Sequence, residues 1–67
     1  MIINCNFIRI IRTPGGRVRK YENRSKTGIE VPGDWEKDDH EDIRKELMKY
    51  APPGDGWRIS GYCLVQP

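Results

Sequence analysis

Sixty-seven residues make one domain, and a chain this short buries only about 60% of the surface its unfolded form exposes, which leaves little room for a catalytic pocket with an orienting shell. With 36% hydrophobic residues the core has to be thin, while two tryptophans, three tyrosines and an isoleucine-rich start exclude disorder. The net charge of +2 conceals a division: Met1 to Gly28 carries seven cations and one anion, and Ile29 to Gly56 carries nine anions and four cations, an asymmetry that bears on partners and association rates rather than on fold.

No run approaches the ~20 apolar residues of a membrane span. The opening Met1-Ile2-Ile3-Asn4-Cys5-Asn6 has neither the basic nor the apolar region of a signal peptide, so a cytoplasmic location is expected. Asn23-Arg24-Ser25 fits the glycosylation pattern and is incidental in that setting.

In chain order, Ile2, Ile3, Phe7, Ile8, Ile10 and Ile11 crowd β-formers into eleven residues and predict a strand. Thr13-Pro14-Gly15-Gly16 reverses it, because proline presets φ at the first turn position and glycine accepts positive φ at the next. Arg17 to Glu22 returns as a second strand, giving a hairpin over 2–22. Residues 23–34 read as a long polar loop with a brief extended piece at Ile29-Glu30-Val31. A helix over about 38–51 follows, with Asp38 or Asp39 as cap, an Asp38-x-x-Glu41 capping-box outline, Lys45 and Lys49 near the end, and an apolar stripe of Ile43, Leu47 and Tyr50. Pro52-Pro53-Gly54 stops it. Residues 57–66 read as a third strand, with Trp57, Ile59, Cys63 and Val65 alternating against Arg58, Ser60, Tyr62 and Leu64.

The order β-β-α-β predicts an α+β fold in one domain: a three-stranded antiparallel sheet in order 2-1-3 with the helix packed on one face. A register with Cys5 opposite Cys63 and Phe7 opposite Gly61 gathers the apolar side chains on that face. With a two-residue turn at Pro14-Gly15, the other face carries Ile8, Ile10, Arg12, Arg17, Arg19, Tyr21, Arg58, Tyr62 and Leu64. A three-residue bulged turn instead sends Arg17, Arg19 and Tyr21 to the helix side.

Arginine and tyrosine interleaved on an uncovered sheet suit nucleic acid, because guanidinium groups pair with phosphate and rings stack on bases. The expected function is a small non-enzymatic module that binds nucleic acid through Arg12, Arg17, Arg19, Tyr21, Arg58 and Tyr62. The bland reading of the same residues is a solvated face with a charge-protected sheet edge.

In size and charge the chain is similar to accessory proteins of phages and mobile elements, including small inhibitors of defence nucleases. That likeness implies an alternative: an inhibitor or adaptor that docks on a nucleic-acid-handling protein complex by charge complementarity or by imitating a phosphate backbone. The residues for it are Trp35, Glu36, Asp38, Asp39, Glu41 and Asp42. A third reading is a subunit that self-associates through its sheet faces, as a homodimer.

No catalytic site, cofactor or metal is expected. The two cysteines are 58 positions apart without C-x-x-C spacing and read as free buried thiols. With His40 they give three of the four ligands that zinc needs. His40 itself, among Asp38, Asp39, Glu41 and Asp42, reads as a solvated helix residue. Lys26-Thr27-Gly28 lacks the preceding glycine of a phosphate loop.

Overall fold

The computed structural model describes residues 1–16 and 19–67. Strands β1 (Ile2–Arg12), β2 (Arg19–Glu30) and β3 (Arg58–Gln66) form one antiparallel sheet in the order β2-β1-β3, and a helix, α1 (His40–Met48), covers one face. The small α+β domain read from the sequence is the fold observed.

Alternation along the central strand builds the core. Ile3, Cys5 and Phe7 point to the helix side, where they meet Ile43 and Leu47 of α1 together with Ile29, Val31 and Trp57. The even-numbered residues of β1 point the other way, to a face that no element covers. Asp39 is the helix cap, its carboxylate accepting from the Glu41 backbone N–H, so Asp38-x-x-Glu41 does not form a capping box. Asp38 instead accepts from the Asp34 backbone N–H. The helix is shorter than the expected 38–51 because Lys49, Tyr50 and Ala51 bond to carbonyls three residues back and tighten the last turn. No helix among the described residues is long and apolar enough to cross a membrane.

Two registers differ from expectation, with opposite consequences. At the hairpin, the Gly16 N–H donates to the Thr13 carbonyl and Gly15 has φ 94°, as a Pro-Gly type II turn requires. Arg12 then pairs with Arg19 and Ile10 with Tyr21, a shift of two residues from a tight Pro14-Gly15 hairpin. Because side chains alternate with period two, a shift of two leaves Tyr21 on its expected face.

In β3 the slip is a single residue from Gly61 onward and two residues before it. Cys5 pairs with Tyr62, Ile3 with Leu64 and Asn4 with Cys63, and a bulge between Asn6 and Phe7 inserts Ser60 before Ile59 pairs with Phe7. Tyr62 and Leu64 therefore pack toward the core, while Cys63 and Val65 face solvent, the reverse of the simple alternation. β2 also continues through the segment expected to be a loop. Its residues 23–26 pair with Cys5 to Ile8, and a second bulge sets both Thr27 and Gly28 against Asn4, with Gly28 at φ 69°.

Candidate nucleic-acid interface

The uncovered face is built in two zones. At the hairpin end, Arg12 and Arg58 are exposed and, with Ile8, Ile10 and Gly56, line a groove of about 480 Å³. Tyr21 pairs with Ile10 beside them, and the two are 58% and 48% exposed, a large apolar surface for so small a protein. Arg17 and the side chain of Arg19 lie outside the described residues.

The middle of the face is uncharged. Asn6 bridges all three strands: its Nδ2 donates to the Ser60 hydroxyl on β3, and its Oδ1 accepts from the Ser25 hydroxyl on β2 at 2.8 Å. The Ser60 hydroxyl also donates to the Asn6 carbonyl at 3.1 Å. Asn4 accepts from the Gly28 N–H at 3.0 Å. Asn4, Asn6 and Ser25, with Lys26, Thr27, Gly61 and Cys63, border a shallow depression of about 370 Å³. The sequence contains a signal for this band, since Asn4-x-Asn6 and Asn23-x-Ser25 place polar side chains at period two on one face.

The other cations of the basic segment lie on the helix side and are largely engaged within the protein. Arg9 Nη2 donates to Glu22 Oε1 at 3.0 Å, and its guanidinium lies 4.7 Å from the Trp57 ring centre. Arg24 lies 3.9 Å from the other Glu22 oxygen. Lys26 sits 5.0 Å from the ring of Tyr50, whose hydroxyl donates to the Glu30 carbonyl and ties the end of the helix to β2.

Tyr62 does not join the arginines. It packs behind the sheet in a cluster with Trp35 and His40, the Trp35 ring meeting each of the other two edge to face. His40 Nε2 donates to the Trp35 carbonyl at 3.1 Å, Nδ1 lies 2.9 Å from the Tyr62 hydroxyl, and Arg44 Nη1 donates to that hydroxyl at 3.3 Å. His40 is thus a half-buried bridge between helix, loop and sheet rather than a solvated residue. Its signal was invisible locally, because both partners come from elsewhere in the chain.

Of the acids expected to meet a protein partner, Asp38 and Asp39 hold turn and cap hydrogen bonds. Glu36, Glu41 and Asp42 are exposed, and Glu36 borders a groove of about 380 Å³ with Trp35, Leu64 and Pro67. Cys63 on the open face and His40 on the helix side are separated by the sheet. No group of three or more His, Cys, Asp or Glu side chains among the described residues could hold a metal ion.

Cys5 is buried and Cys63 exposed, on opposite faces, so the expected pair of buried thiols is half right. Burial pushes the Cys5 thiol up from its ordinary range. A maleimide at neutral pH is expected to label Cys63 alone in the native protein and both cysteines in denaturant. Mass spectrometry counts the adducts, and native labelling of Cys5 at a comparable rate would contradict this packing.

No protein-family model matches the chain, and neither a curated protein nor a solved structure matches it.

Proposed function

We propose that this protein is a small, non-enzymatic module that binds nucleic acid across its uncovered sheet face, with Arg12, Arg58, Arg17 and Arg19 contacting phosphates and Tyr21 offering a ring to a base. The observation that carries the reading is the segregation of groups. Arg12, Arg58, Tyr21 and Ile10 share a face with no covering element, while Glu36, Glu41 and Asp42 lie on the helix side. Phosphate contacts release counterions, so affinity should fall steeply with salt.

The test is fluorescence anisotropy against single- and double-stranded probes over a range of salt. Replacing Arg12 and Arg58 with Ala is expected to flatten the slope of log K against log salt by about 1.4 to 1.8, the contribution of two phosphates. Tyr21→Ala is expected to weaken binding by about 1 to 3 kcal/mol if the ring stacks on a base. Absence of binding to every probe at low salt would remove this function.

A second reading rests on the groove beside Trp35. In it the protein is an inhibitor or adaptor whose Glu36, Glu41 and Asp42 occupy a basic site on a nucleic-acid-handling complex. A nuclease-resistant complex with one such partner, lost when those three acids become Asn or Gln, would support it.

A further inference from the structure

The chain contains seven glycines, and six have positive φ, where an L side chain would be strained. Gly61 is the exception. A Cβ built on it would meet nothing within 4 Å, so neither backbone conformation nor internal packing requires glycine at this position. It borders the bulge in β3, but the bulge type that demands glycine places it in the left-handed region, as Gly28 is and Gly61 is not. Glycine inside a strand weakens it, and in the absence of an internal reason it marks a place where something external approaches the backbone.

That place is chemically specific. Gly61 pairs with Asn6 and forms part of the floor of the depression on the open face, rimmed by Asn4, Asn6, Ser25 and Cys63, with Lys26 also in its lining. The Asn4 amide keeps its Nδ2 free for an outside acceptor, since only its Oδ1 is engaged among the described residues. Amide and hydroxyl groups around a flat, side-chain-free patch fit a planar ligand with hydrogen-bonding edges. Arginines stand at one end of the same face, ready for phosphates.

A duplex cannot deliver its bases there. The short dimensions of the molecule, 20 and 16 Å, exceed the ~12 Å width of the major groove, so only the hairpin tip could enter a groove. A base reaching Gly61 has to come from an unpaired strand.

We infer that the depression over Gly61 is a subsite for one unstacked nucleobase of a single-stranded nucleic acid, with the chain running past Tyr21 toward Arg12 and Arg58. This rests on the nucleic-acid reading above and narrows it to single strands.

The test is Gly61→Val, which fills the subsite from a position where the fold has room. Its melting temperature is expected to match or exceed that of wild type, because valine favours a strand. Its affinity for oligo(dT) and oligo(rU) is expected to drop about ten-fold or more, within the range for loss of one base contact. Affinity for an abasic oligomer and for a duplex should be unchanged.

Equal affinity of wild type and variant for both single-stranded probes would overturn the subsite and leave the role of Arg12 and Arg58 intact, as would wild-type binding to duplex alone. A wild type that binds no probe would overturn both. Gly61→Ala, with a shorter reach, is measured alongside, and a lowered melting temperature in both variants would show that the fold itself needs glycine here and would overturn the inference.

Discussion

Leu47→Ala is expected to lower the stability of this domain by about 2 to 5 kcal/mol, the range for emptying a fully enclosed leucine site. Leu47 is 0% exposed and Ile43 2%, and they are the two buried residues of α1. The rest of the helix surface is charged or half-exposed, so these two residues carry its apolar docking, beside the polar ties that His40, Arg44 and Tyr50 make to the sheet. On the usual scale of stability per residue, a domain of this length has roughly 3 to 10 kcal/mol in total. The variant should therefore lose a large part of its stability. At about 4 to 8 °C per kcal/mol for a domain of this size, its melting temperature should fall by roughly 8 to 40 °C. Circular dichroism measures this directly, and a melt within a few degrees of wild type would mean that the helix is not docked on Ile3, Cys5 and Phe7.

Glu22→Ala is the second large effect. Arg9 lies beneath the 54–56 loop, where a Cβ on Gly54 would come within 2.7 Å of its Nη1, and its Nε is buried without a partner. Glu22 is its close carboxylate, and the two side chains are 26% and 27% exposed. Removing one member of an enclosed pair leaves the other charge uncompensated, which costs about 3 to 5 kcal/mol when burial is complete. At this exposure solvent screens part of that, and about 1 to 3 kcal/mol is expected. Arg9→Met keeps an unbranched stem against Trp57 and removes the stranded charge, so it should destabilise less than Glu22→Ala. Urea midpoints of the two variants decide the order. Equal stability of Glu22→Ala and wild type would show that the pair contributes nothing net. Because Arg9 lies behind the sheet, Arg9→Met should leave the salt slope of nucleic-acid binding where it is.

The candidate interface was legible to different depths in its different parts. Arg12 and Tyr21 lie on the face periodicity assigns them because at the hairpin the register differs by two, and Arg58 does because before the Ser60 bulge β3 also differs by two. Tyr62 lies on the other face from the one expected because from Gly61 onward the slip in β3 is one, which exchanges the faces of Tyr62, Cys63, Leu64 and Val65. The extra residue behind that slip is Ser60, hydrogen-bonded to Asn6 of β1. Nothing within residues 57–66 announces this bulge. The extent of β2 was hidden for a similar reason: residues 23–28 are exposed, carry no hydrophobic alternation, and are strand because β1 offers them hydrogen-bond partners.

By itself, the sequence determined what depends on near neighbours: the reversal at Pro14-Gly15, the presence of the helix after its acidic start, the β-β-α-β order, and the separation of basic and acidic segments. Turn chemistry, capping and periodicity act over a few residues, so they can be read from a single chain. The tertiary structure alone decided which face each residue of β3 occupies, that His40 joins Tyr62 to Trp35, that Arg9 is held inside by Glu22 and Trp57, and that Gly61 lies open among amide and hydroxyl groups. Those facts depend on pairs of residues far apart in the chain, and on bulges whose position follows from how two strands satisfy each other's hydrogen bonds while both bury their apolar side chains.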